Sequence, residues 1–216
     1  MIKITNSLNL ERLKNWKYLG AFLGMFGGIL FIIGTIIIMI FYPGGYSFSE
    51  NYLSELGHTV SVSNGQDNMT NYIMWSIICT VLAIFFIPFM LSLRTVFTEK
   101  KASLYISTLG TALGIVAAPF LSLLALLAPD ILMEEHEIAT RIFFLLMALT
   151  IVVYSIATLF NDKYEKTYAY FGFAIGIYIV IHLFVLLYNA VSQKFTVYIM
   201  IAWIIIQGFK LWKVLE

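Results

Sequence analysis

The stretch Tyr18–Phe41, YLGAFLGMFGGILFIIGTIIIMIF, carries no charged residue from end to end. Crossing roughly 30 Å of hydrocarbon takes about 20 helical residues, with every backbone polar group satisfied inside the segment. This run meets that demand. It is too long for the apolar core of a signal peptide, and it passes into YPGGY (42–46) rather than a small-residue cleavage site, so it reads as a span that stays. Outward from it, five more runs of comparable length follow: about 71–93, 103–128, 138–160, 168–188 and 196–214. Only the first connection, Tyr42 to Thr70, is long. The expected fold is all-α: residues 1–216 as a single six-transmembrane-helix bundle, a polytopic membrane protein.

Composition agrees. The chain has 216 residues, 61% of them apolar and 12% charged, and a mean hydropathy of +0.90. So little charge cannot cover a soluble domain of this size. The net charge of +1 argues against a nucleic-acid partner. One cysteine, Cys79, lies within an apolar run; it can build neither a disulfide framework nor a thiolate cluster and reads as packing.

Lysine and arginine orient the bundle. Lys3, Arg12, Lys14, Lys17, Arg94, Lys100, Lys101, Lys163, Lys166, Lys210 and Lys213 fall on one side, and only Arg141 and Lys194 on the other. The asymmetry places both termini in the cytoplasm of a multi-pass cell-membrane protein. Glycines one turn apart (Gly20, Gly24, Gly28; Gly110, Gly114; Gly172, Gly176) suit close helix packing, and Pro88 and Pro119 should kink their spans. Trp16, Tyr18, Tyr42, Tyr46, Tyr72 and Trp75 fall near the predicted interfaces and suit an aromatic belt. Asn68-Met69-Thr70 matches a glycosylation sequon, set close against the second span.

The outer loops hold the candidate chemistry. In SFSENYLSELG (47–57), Ser47 and Glu50 have capping-box spacing, Gly57 suits a left-handed cap, and Phe48, Tyr52, Leu53 and Leu56 form a stripe. A short amphipathic helix is expected there, with Ser54 and His58 four residues apart. The second outer loop, APDILMEEHEIATR (128–141), crowds Asp130, Glu134, Glu135, His136 and Glu137 at the start of span 4. Acids at a helix amino terminus serve the macrodipole, which accounts for Glu134 and Glu135; Arg141 is expected to pair with Glu137. His182 lies about two turns inside span 5, where an imidazole needs a partner. All three histidines thus fall in the outer half. Glu55, Asp130, His136 and His182 are the candidate catalytic groups, with Ser54, His58 and Arg141 accessory. His136, His182 and Asp130 could hold Zn²⁺ with a position open for water, although no HExxH and no ligand pair on one helix demands it.

At FYPGGYSFSENYLSELG (41–57) the chain resembles domain-of-unknown-function family 998, prokaryotic six-helix membrane proteins. Pro43, Tyr46, Ser54, Glu55, Leu56 and Gly57 carry the likeness, as do Pro129, Asp130 and His136 further on. The serine-acid-glycine loop is also similar, more remotely, to one in eukaryotic six-helix proteins linked to GPI-anchor lipid remodelling and autophagy, which implies lipid as the relevant small molecule. Ser54 and His58 are spaced as in a superfamily of zinc membrane hydrolases, whose later pair of histidines four apart this chain lacks.

Two functions stand nearly level. One is an outer-leaflet lipid hydrolase or transferase using histidine as a general base or a metal-bound water. The other is non-enzymatic binding of membrane lipid or a partner through the ordered first loop. Transport ranks third, since His182 is the lone ionisable group deep within a span.

Overall fold

The computed structural model describes residues 10–186 and 189–216; Lys3 and the last two residues of the expected fifth span lie outside them. Six helices follow a 3-10 turn at Leu10–Lys14: α1 Trp16–Ile40, α2 Met69–Arg94, α3 Lys101–Leu126, α4 Met133–Leu159, α5 Lys166–Phe184 and α6 Ala190–Val214. Each is long and apolar enough to cross a membrane. The architecture is a six-helix membrane bundle.

Helices adjacent in the chain are adjacent in space, and α6 returns against α1, so the helices form a ring. The termini and the α2–α3 and α4–α5 connections gather at one end, here the terminal end. The other three connections gather at the mouth. Asn15 caps α1 by accepting from the Lys17 amide, and Asn189 caps α6 by accepting from the Ser192 amide. The Asn189 cap starts α6 six residues before the expected boundary, which draws Gln193 and Lys194 into the helix.

Lipid offers no hydrophobic drive between helices, so small residues and buried hydroxyls join them. A Cβ on Gly20 would lie 2.5 Å from the Pro88 carbonyl oxygen, and one on Gly28 would lie 2.7 Å from Ile205. Ser92 donates to the Lys17 carbonyl (2.6 Å), Ser76 to Ala125 (2.8 Å) and Ser103 to Ala157 (3.1 Å), while Thr111 meets Tyr154 at 2.6 Å. Helices α2 and α3 continue without a break through Pro88 and Pro119.

The first connection is ordered throughout. Gly44 and Gly45 turn the chain with φ of +82° and +86°, a region that a side chain would strain. The expected short helix is present as one 3-10 turn, Leu53–Gly57, rather than from Ser47 onward. The cause is local competition for one carbonyl. Asn51 C=O accepts from buried Lys194 and from the Tyr46 hydroxyl, so the Glu55 amide bonds Tyr52 C=O instead. The tighter repeat eclipses residues three apart and buries Leu53 and Leu56 together. No capping box forms: the Ser47 amide donates to Asn51 Oδ1 (2.7 Å). Gly57 has no positive φ; it is small because a Cβ would lie 2.6 Å from the Trp75 ring. Trp75 itself faces inward, not a membrane belt. Asn68 is buried, donating to the His58 carbonyl and accepting from Asn71, so the sequon is closed to modification.

Candidate functional site at the mouth of the bundle

His136 sits in the first turn of α4, directly above the end of α3. Its Nδ1 lies 2.8 Å from the Leu124 carbonyl and 3.0 Å from that of Leu127, two of the orphan acceptors that end α3. Both partners only accept, so Nδ1 carries the proton and the neutral ring presents a lone pair at Nε2. Among the described residues no group takes up Nε2. The ring forms part of the wall between two cavities.

The first is a vestibule of about 320 Å³, walled by Tyr52, Ser54, Glu55, His58, His136, Glu137, Thr140, Arg141 and Gln193, with Pro129 and Met133. The second is a narrow slot of about 60 Å³ in the bundle core, lined by Phe31, Trp75, Cys79, Leu82, Phe86, Ala118, Phe143, Phe144, Met147 and neighbouring aliphatics. Ser54, His136, Thr140 and Gln193 wall both and mark the neck, the boundary at which the two adjoin. The slot runs from Trp75 to Phe86 on α2, from His136 to Met147 on α4, and from Gln193 to Ile204 on α6. Eleven residue steps along each of three helices give the lining a span of about 16 Å.

The charged side chains of the vestibule are matched within the protein. Arg141 pairs with Glu137 at 2.9 Å, as the spacing predicts. Glu55 accepts from Asn51 Nδ2 at 2.6 Å and lies within the field of Lys194, whose ammonium is buried against the Tyr46 and Phe48 rings. Burial holds the His58 pKa below its ordinary value, partly offset by the charges of Asp130 and Glu55.

The candidate residues therefore separate. Ser54, Glu55, His58, His136 and Arg141 share the vestibule; Asp130 and His182 wall neither cavity. Asp130 takes the Thr59 amide, the Thr59 hydroxyl (2.6 Å) and the Val60 amide, which ties the second loop to the first. Partial burial raises its pKa, but these bonds outweigh burial and hold the carboxyl below its usual range. His182 Nδ1 meets Ser192 Oγ at 3.0 Å, its Nε2 is buried without a partner among the described residues, and its ring packs on Phe144. With Tyr178, which also reaches Ser192, it fastens α5 to α6. The zinc set His136, His182 and Asp130 is thus not assembled: among the described residues no three His, Cys, Asp or Glu side chains gather closely enough to share an ion.

Thr140 and Gln193 are wall residues that the sequence reading left out. Thr140 is one helical turn beyond His136, so the periodicity held the signal. Gln193 was assigned to a connection, and only the Asn189 cap places it on a helix.

The family model described as "Protein of unknown function (DUF998)" matches residues 25–210. The chain belongs to the DUF998 family. The match takes in every wall residue of the vestibule and the slot, so the cavities lie wholly within the DUF998 portion. No curated protein and no solved structure matches the chain.

Proposed function

We propose that this DUF998 protein binds a membrane amphiphile end-on from the extracytoplasmic leaflet, its alkyl chain in the slot and its polar end in the vestibule. One observation carries the reading: the two cavities share four wall residues, and the lining of the slot spans about 16 Å, close to half of the roughly 30 Å hydrocarbon thickness. Aromatic and aliphatic walls suit a chain, and burying each methylene contributes about 0.8 kcal/mol.

A second reading, turnover of that amphiphile, is favoured by His136. With Nδ1 fixed on two carbonyls, Nε2 is oriented and free to take a proton from water beside an ester at the neck. Ser54, Thr140 and the Gln193 amide are donors for the developing oxyanion. Asp130, through Thr59, and Glu55 would position the first loop rather than react. No hydrogen bond joins Ser54 to either histidine, so the reading uses water rather than serine as nucleophile.

One experiment addresses both. The protein in nanodiscs is photolabelled with a monoalkyl glyceryl ether bearing a diazirine at the tail end, and adducts are mapped. Adducts on Phe86 or Met147 are expected, with at least tenfold less labelling in Ala118→Leu, which fills the slot. Adducts confined to lipid-facing residues such as Ile33, Ile77 and Leu145 in both proteins would refute binding. For turnover, release of fatty acid from an ester substrate should fall at least a hundredfold in His136→Ala while labelling persists; equal release would eliminate the histidine base.

A further inference from the structure

The neck is the one part of the path that must touch the junction between chain and polar end, and none of its groups is a fixed charge. Gln193 Oε1 is taken by the Leu53 amide at 2.7 Å, which leaves its amide N–H groups as the uncommitted end of a wall residue. The Thr140 hydroxyl is buried with no partner among the described residues. Ser54 adds a second hydroxyl without a partner among the described residues, and His136 adds an acceptor. A buried hydroxyl left unpaired is costly, so these groups favour a ligand that both donates and accepts.

The charges beyond the neck supply no spare cation. Arg141 is engaged by Glu137, and Lys194 is buried behind the loop in the field of Glu55. A carboxylate or phosphate at the neck would be desolvated without a counter-charge, next to a vestibule that already holds two carboxylates. The slot is also narrow: about 60 Å³ open to the centre of a water-sized group, extended over about 16 Å, is single file.

From this juxtaposition we infer the ligand class: a single-chain amphiphile whose chain joins its polar end through an uncharged ester or hydroxyl-bearing link, as in a monoacylglycerol. This rests on the binding reading above and narrows it. Ligands with two chains or with an acid at the neck are disfavoured.

The test is competition against the photolabel by monoacylglycerol, free fatty acid, lysophosphatidic acid and diacylglycerol of equal chain length at pH 8, on the full chain in nanodiscs. Monoacylglycerol should compete at a concentration at least tenfold below each of the other three. Thr140→Val, nearly isosteric, should weaken monoacylglycerol three- to tenfold and leave an n-alkane competitor unchanged. Fatty acid, lysophosphatidic acid or diacylglycerol competing as well as monoacylglycerol in the native protein, but not in Ala118→Leu, would overturn this inference and leave the slot reading standing. Labelling that is indifferent both to every competitor and to Ala118→Leu would overturn the slot reading itself, and this inference with it.

Discussion

His58 and His136 share a cavity wall but answer to different surroundings. His136 spends Nδ1 on the end of α3, so its truncation removes a cap as well as a base, and two carbonyls lose their partner. His58 ends the 3-10 turn, and only its backbone is committed there, its amide to Glu55 and its carbonyl to Asn68. Its imidazole is therefore the group to read by titration. Burial lowers its pKa beneath the ordinary 6.5, and the Asp130 and Glu55 charges offset part of that effect. Between the lowered value and 6.5 the unfolded chain holds a proton that the folded chain does not, so stability there rises with pH. The contribution is complete above about pH 6.5 and is lost as the pH falls toward the folded value. We expect SDS-unfolding free energy to decline across this window, and His58→Gln to flatten that part of the profile. An unchanged slope in His58→Gln would show that the imidazole titrates alike in both states. The residue scale was half legible. Polar side chains flanking apolar runs marked the mouth, but no spacing showed which nitrogen or oxygen was already engaged.

The Leu53–Gly57 turn is the element that roofs the neck, and its geometry follows from contacts far along the chain. The stripe Leu53 and Leu56 was readable because apolar spacing survives a change from a 3.6 to a 3.0 repeat. The length of the helix was not, because the competitor for Asn51 C=O is Lys194, 143 residues away. Gly57 is the tightest point of this roof. An alanine there would bring its Cβ to within 2.6 Å of Trp75 Cδ1 and 2.8 Å of Nε1. Trp75 walls the slot and is buried, so it has little room to yield, and overpacking of this kind costs about 1–3 kcal/mol. Gly57→Ala should lower unfolding free energy by that amount and raise amide exchange over residues 53–58 by at least tenfold. Native stability with unchanged exchange would mean that the turn lifts freely from Trp75, contrary to its burial.

At the scale of the molecule, hydropathy alone specified six spans because the bilayer imposes one length and one backbone solution on every crossing. The ring of helices and its axial slot were not specified: which face of each helix turns inward depends on side chains drawn from five of the six spans. Direction of insertion is a separate property, carried by charge. Of the eleven cations counted on the terminal side, all but Lys3 lie within the described residues, and they flank the helix ends or their connections. The two at the mouth are both withdrawn from loop electrostatics, since Lys194 is buried in α6 and Arg141 is ion-paired in α4. Ten described cations at the terminal end against two at the mouth keep the asymmetry of the sequence, and we propose that the mouth faces away from the cytoplasm. A phosphatase reporter active only after export, inserted at the exposed turn after Gly65, should be active, while a green fluorescent protein following Glu216 should fluoresce. The converse pair of results would put the vestibule on the cytoplasmic face, where the same slot would draw its ligand from the inner leaflet.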